Sequence, residues 1–200
     1  MNSKIEKLIK QFAKLPRVGN RAAQRIVLAL LQDKSGRADA LASALHDAAN
    51  TIRPCRTCGV LTDIENATCE FCRDTSRATG QLCIVRDLAD VWTLEKSGVF
   101  HGRYHILGGL LSAVSGVLPD DLNIGALPTR VKDEAITEII FALPNTVEGK
   151  TTQHYVMSVV GDAGANVTFS ELASGVPLGG DLDYLDDGTL TLAFGGRKTL

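Results

Sequence analysis

The chain has 200 residues, 44% of them hydrophobic and 22% charged, with a net charge of −2. That apolar mass suffices for a true core, and the charged fraction is that of a globular protein, not a disordered one. No apolar run approaches the roughly 18 residues of a membrane span, and the N-terminus mixes Lys and Glu with apolar residues instead of building a secretory signal, so the expected compartment is the cytoplasm.

The small net charge hides an asymmetry. Residues 1–54 carry ten Lys/Arg against four Asp/Glu, a surplus of +6; residues 55–200 carry eleven against nineteen, or −8. A polyanion would be drawn to the N-terminal end, although a solvated helix surface accounts for the same charge. Lys4, Lys7, Lys10 and Lys14 form a loose basic stripe with the same two readings.

Over residues 4–15, Ile5, Leu8, Ile9, Phe12 and Leu15 share one helical face. Pro16 to Gly19 interrupts the pattern. A second helix follows with Ala22, Ala23, Ile26, Val27, Leu30 and Leu31 as its stripe, and a third carries Leu41, Leu45, Ala48 and Ile52 before Pro54 stops it. Residues 1–54 thus read as a compact helical domain. Residues 55–78 are turn-rich, poor in large apolar side chains, and need a staple to fold.

From Gln81 onward strands alternate with helices. Leu82 to Val85, Tyr104 to Leu107, Glu138 to Leu143 and Asn166 to Phe169 read as strands; Asp87 to Ser97 and Glu148 to Val160 read as helices, and Asp120 or Asp121 as the cap of another. That alternation predicts a mostly parallel sheet covered on both faces, over residues 79–175. Trp92, in the first of these helices, is expected in the core. Residues 176–200 form a Gly-rich, acidic tail without a clear assignment.

Four cysteines, Cys55, Cys58, Cys69 and Cys72, have the spacing C-x2-C-x10-C-x2-C. Each C-x2-C pair lets two thiolates reach one ion, and two pairs complete a tetrahedral sulfur shell suited to Zn2+ at about 2.3 Å. Disulfides fit a reducing compartment poorly, and one redox pair leaves the other unexplained. One structural zinc, with no open position for catalysis, is the expectation. Cys83, inside an apolar strand, reads as a core residue.

Leu15-Pro16-Arg17-Val18-Gly19-Asn20-Arg21-Ala22-Ala23-Gln24-Arg25 joins two helices by a tight turn. Such a turn offers backbone N–H groups and a helix N-terminus to a phosphate. Arg21 and Arg25 lie one turn apart, and with Arg17 and Lys14 they are the candidate DNA-contacting residues. An ordinary helix–helix turn with solvated arginines is the alternative.

Together these pieces resemble the RecR family of bacterial recombination mediators along nearly the whole chain. The order is the same: a helix-hairpin-helix element, a four-cysteine knuckle, then a Toprim domain. Further stretches agree, among them Gly102-Arg103-Tyr104, Pro119-Asp120-Asp121, Thr146-Val147-Glu148-Gly149 and Gly175-Val176-Pro177. The resemblance implies a multi-domain α+β protein without enzymatic activity. It implies a protein that works with RecO and RecF to load RecA onto single-stranded DNA coated by single-strand-binding protein during gap repair. It also implies a ring, expected to be a tetramer, joined through the hairpin domains and the C-terminal tails, in the bacterial cytoplasm at the nucleoid.

Catalytic Toprim domains place a Glu at the end of the first strand and a DxD after a later one, where the acids hold Mg2+. Here those positions are Arg86, Pro144 and Thr146, so no nuclease or topoisomerase chemistry is expected. Many family members keep the Glu and carry an acid at the position of Lys150. Arg86, Asp87, Glu148 and Lys150 therefore mark the expected partner-protein surface, made more basic by these replacements. Gly149-Lys150-Thr151 mimics the end of a phosphate-binding loop, but Pro144 stands where that loop needs its first glycine.

Overall fold

The structure is a computed structural model that describes residues 3–63, 65, 68–164, 166–173, 175–177 and 179–197. The end of the predicted tail, residues 198–200, lies outside the described residues. The chain divides into two units, Met1–Ile52 and Arg53–Leu200.

The first unit holds α1 (Ser3–Phe12), α2 (Asn20–Gln32) and α3 (Arg37–Thr51). Three helices form, but Leu15 and Ile52, expected on the first and third stripes, fall outside α1 and α3; α1 packs on α2. Within α2, however, only Ala23 and Val27 are buried. Leu15, Leu28, Leu31 and Leu45 are exposed, so this unit presents apolar side chains that its own three helices do not cover.

The second unit begins with a two-stranded sheet of β1 (Ile52–Pro54) and β2 (Leu61–Asp63), then the short α4 (Glu70–Arg73). Next come β3 (Gln81–Val85), α5 (Leu88–Ser97), β4 (Arg103–Ile106), α6 (Leu127–Asp133), β5 (Glu138–Ala142), α7 (Val147–Asp162), β6 (Thr168–Glu171) and α8 (Asp187–Gly195). The four later strands form one sheet in the order β4-β3-β5-β6, and every pairing is parallel.

Side chains alternate across that sheet with the period of two that a strand imposes. Leu82 and Ile84 lie beside Ile139 and Phe141, and they pack on Leu127 and Val131 of α6 and Val156 and Val160 of α7. Cys83 and Val85 lie beside Tyr104 and Ile106. They share a second core with Val91 and Leu94 of α5 and with Cys55, Cys58 and Cys69. Helices cover one face of the sheet; a helix and the cysteine knuckle cover the other.

Three sequence expectations shift. Asp120 and Asp121 belong to a 3-10 turn (Pro119–Asp121), whose Asp121 carboxylate accepts the Leu118 N–H at 2.9 Å. The helix itself starts only at Leu127, where Pro128 occupies an early helical position without needing an N–H partner. The last strand runs Thr168–Glu171, because its register is set by pairing Glu138 with Thr168 and Phe141 with Glu171. Trp92 is 64% exposed, since Leu88, Val91 and Leu94 supply the buried side of α5.

Between β4 and α6 lies a buried polar network, in which Arg103 Nε alone among the described buried side-chain atoms lacks a hydrogen-bond partner. His105 and Arg130 are both buried. Arg130 donates to the Tyr104 carbonyl at 2.7 Å, meets His105 Nδ1 at 3.1 Å, and forms an ion pair with Glu134 at 2.8 Å. Arg103 reaches Glu134 at 2.9 Å. Because a guanidinium only donates, His105 Nδ1 must accept, and its Nε2–H donates to the Asn123 carbonyl. The ring is therefore neutral: burial holds its pKa down to about 4, and the Arg130 charge pushes the same way. A histidine whose pKa falls on folding stabilises the folded state above its unfolded value near 6.5 and withdraws that stability as pH drops toward 4. Urea-unfolding midpoints should fall for the native protein over that window, and less steeply for His105→Gln. Equal slopes would show that His105 does not titrate with unfolding.

Candidate metal centre and nucleic-acid interface

The knuckle is built by short backbone hydrogen bonds. Cys55 N–H donates to the Val60 carbonyl at 2.7 Å and Gly59 N–H to the Cys55 carbonyl at 2.9 Å, closing the first turn. Gly59 adopts φ +80, and a Cβ there would lie 3.0 Å from the Ile106 carbonyl oxygen, so only glycine serves. The second pair sits at the start of α4, where Cys72 and Arg73 N–H groups donate to the Cys69 carbonyl. Ile106 N–H donates to the Cys58 carbonyl at 2.7 Å, tying the first turn to the end of β4.

These turns bring the four Sγ atoms within 4.8 Å of one another. Tetrahedral sulfur ligands about 2.3 Å from an ion lie about 3.8 Å apart, so the donor set fits a single tetrahedral cation. Cys55, Cys58 and Cys69 are buried and Cys72 is partly buried. Cys58 and Cys69 sulfurs stand 3.3 Å apart, and the Cys69 sulfur is pulled well below the usual thiol range by the Cys58 thiol, which the same bond holds protonated. The four sulfurs are thus able to hold a metal ion in place of their thiol protons. Among the described residues this is the only group of three or more His, Cys, Asp or Glu side chains close enough to share an ion. Cys83 is buried, and burial raises its thiol to about 12, the state of an inert core residue.

The hairpin in the first unit has readable geometry. Val18 N–H donates to the Leu15 carbonyl at 3.1 Å, closing a four-residue turn with Pro16 at its second position. Arg17 stands at the third with φ +63. This is the pattern of a type II turn, whose third position calls for glycine. The turn therefore keeps the backbone of a glycine-bearing hairpin although an arginine occupies it. Gly19 precedes α2 in an extended conformation and no side chain caps the helix, which leaves its N-terminal N–H groups for a ligand. Arg21 and Arg25 are exposed on the stripe of α2 opposite buried Ala23 and Val27; Arg17 and Lys14 are exposed on the hairpin and at its entry.

At the carboxyl edge of the sheet the strand stops at Val85, and Asp87 caps α5 by accepting the Ala89 and Asp90 N–H groups. Arg86 pairs with Asp87 at 3.0 Å and Asp90 at 3.8 Å. Lys150, in the first turn of α7, pairs with Glu171 at 2.5 Å at the end of β6. Both cations are neutralised locally, so this edge does not become the more basic surface expected from the replacements alone. Glu171 is the residue that sequence reasoning missed; only its place at the end of the last strand hinted at it. Glu148 is exposed, and Thr146 caps α7 through the Gly149 N–H. Gly149 presses so closely on the loop that a Cβ would lie 1.9 Å from the Pro144 carbonyl oxygen.

Three family models match in the same order: RecR helix-hairpin-helix over residues 5–49, Toprim domain over 80–171, and RecR C-terminal over 175–198. The Recombination protein RecR of Cereibacter sphaeroides is 50% identical over 194 residues, 97% of this chain and 96% of that protein. The proteins of the same name from Paracoccus denitrificans and Rhodospirillum rubrum are each 48% identical, again over 96% of their length. The chain belongs to the RecR family. It is a recombination and repair protein with a helix-hairpin-helix element, a four-cysteine cluster able to hold a metal, and a Toprim domain. No helix among the described residues is long and apolar enough to cross a membrane.

In this RecR-family hairpin, the left-handed arginine costs about 1 kcal/mol relative to glycine, partly offset by the greater freedom of an unfolded glycine. Arg17→Gly should therefore raise the unfolding midpoint of the helical unit. A lowered midpoint would show that the turn is unstrained with arginine in place.

Proposed function

We propose that this protein is a non-enzymatic mediator of DNA recombination. It binds DNA and, with RecO and RecF, helps load RecA onto single-stranded DNA coated by single-strand-binding protein in gap repair. The observation that carries the reading is the replacement of the Toprim acids by Arg86, Pro144 and Thr146 in a chain of the RecR family. Mg2+ demands clustered oxygen ligands; of the acids at the edge, Asp87, Asp90 and Glu171 are engaged with Arg86, backbone N–H groups or Lys150, which among the described residues leaves exposed Glu148 without a second carboxylate to share an ion. A Mg2+-dependent nicking activity that survives purification and disappears in Glu148→Ala would overturn this part.

DNA is held by the hairpin. The N–H groups at the start of α2 meet one phosphate, and Arg21 and Arg25, with Arg17 and Lys14, grip the backbone on either side, which positions DNA without reading its sequence. The ion at Cys55, Cys58, Cys69 and Cys72 is one structural Zn2+, which the all-sulfur tetrahedral set favours. Partner proteins meet the carboxyl edge at Arg86, Asp87, Glu148 and Lys150.

Self-association into a ring, a tetramer in this reading, has support in the exposed apolar surface. Helix α8 is apolar with no buried residue; Phe194 is 70% and Tyr184 88% exposed. Together with the uncovered leucines of the helical unit, such surface marks contact sites. The setting is the bacterial cytoplasm at the nucleoid.

Arg21→Ala combined with Arg25→Ala should weaken DNA binding, reduce the slope of log affinity against log salt by about 2, and slow RecA assembly in the presence of RecO on coated single-stranded DNA. Unchanged binding would remove the hairpin from the mechanism. Native protein that leaves RecA assembly unaltered would remove the mediator role itself.

A further inference from the structure

Residue Phe71 stands between the ligands Cys69 and Cys72 on α4. Its ring meets Tyr104 of β4 edge-on, with centroids 5.6 Å apart. The Arg77 guanidinium lies 5.0 Å from the Phe71 ring and 5.9 Å from the Tyr104 ring. The same guanidinium grips both Glu95 carboxylate oxygens, at 2.7 and 3.0 Å, and donates to the Gly102 carbonyl at 3.1 Å. Tyr104 O–H donates to Glu95 as well, at 2.6 Å. Asp74 holds Arg77 in place by capping the turn Thr75–Arg77. Neither ionic partner is a free surface group: Arg77 is 17% and Glu95 28% exposed.

We propose that Arg77 carries the metal state of the knuckle to α5, so that ion binding at the four cysteines fixes the last turn of that helix. A helix of four residues such as α4 does not hold itself in water; its two ligand cysteines and their ion fix the backbone that sets Phe71 against Tyr104. Without the ion, α4 gives way and Phe71 leaves its place against Tyr104. Arg77 then loses one of its two stacking faces, and the part-buried Glu95 loses the order of its main partner. Glu95 lies in the last turn of α5, next to the Gly98 cap whose N–H donates to the Leu94 and Glu95 carbonyls. The disturbance therefore arrives on a helix that carries exposed Trp92 and begins at the Arg86–Asp87 edge. The bidentate, stacked geometry needs arginine; lysine brings the charge without the plane.

This inference rests on the knuckle holding an ion, which metal analysis of the purified full-length chain settles first. Amide hydrogen exchange of α5 is then compared with that of β5, for native protein and Arg77→Met, each with its metal and after chelation. In native protein, chelation should speed exchange in the last turn of α5 about tenfold while β5 stays protected. Metal-loaded Arg77→Met should already show the fast α5 exchange with an unchanged metal content, and chelation should add little. Arg77→Lys should fall between. Three results overturn the proposal: α5 exchange indifferent to the ion, an equal further increase on chelating Arg77→Met, or loss of protection throughout β5 together with α5. A folded protein with no metal overturns the zinc reading as well. Should Arg77→Met not fold, the two states of native protein still decide.

Discussion

Four thiols lying within 4.8 Å of one another, three of them buried, cannot all be charged without a cation between them. Much of the second unit depends on this constraint being met. The parallel sheet has two apolar faces, and α6 and α7 cover one of them. The other face, with Cys83, Val85, Tyr104 and Ile106, is closed by α5 and by a segment too poor in apolar side chains to cover anything unaided. Held by an ion, that segment becomes a rigid plug whose sulfurs are themselves core atoms, hydrogen-bonded to the edge strand through Cys58 and Ile106. The same plug positions Phe71 and, through it, Arg77.

At the carboxyl edge of the sheet, a metal-holding position has lost its acids. In catalytic Toprim domains that edge is expected to organise an exchangeable cation. Here it organises cations attached to the chain: Arg86 among Asp87 and Asp90, and Lys150 against Glu171. These pairs are part-exposed and contribute little to stability. They fix paired charges in set places along this edge. The helical unit offers the complementary kind of surface, unpaired arginines around a turn and an uncapped helix start.

Local chemistry was the legible part of this chain. The cysteine spacing reads directly because ligand geometry is set within each C-x2-C turn, and the central strands read from apolar runs because a parallel sheet buries both faces. What depended on distant partners was not legible. The neutralisation of Lys150 needs Glu171, twenty-one residues away, and becomes visible only when β6 registers beside β5. Asp120 and Asp121 carry a good capping signal, but it serves a 3-10 turn, and the true helix starts at Leu127, with Pro128 in its first turn and no side-chain cap. Trp92 followed size rather than phase: the buried side of α5 runs through Leu88, Val91 and Leu94, and the indole falls outside it. Arg17 fills a turn position that calls for glycine, and only its positive φ shows that the backbone keeps the glycine-type turn.

The hydrogen bond from Ile106 to Cys58 joins two segments that do not emerge from the ribosome together. Cys55 through Cys72 are synthesised before β3 and β4, so the plug exists before the surface it closes. A knuckle that has captured its ion can wait, already folded, as a template on which the first two strands of the sheet settle. A knuckle without one leaves the new strands with an open apolar face, the kind of surface that chaperones and proteases recognise. For a knuckle that holds an ion, the order of synthesis thus places metal capture ahead of the closing of the sheet.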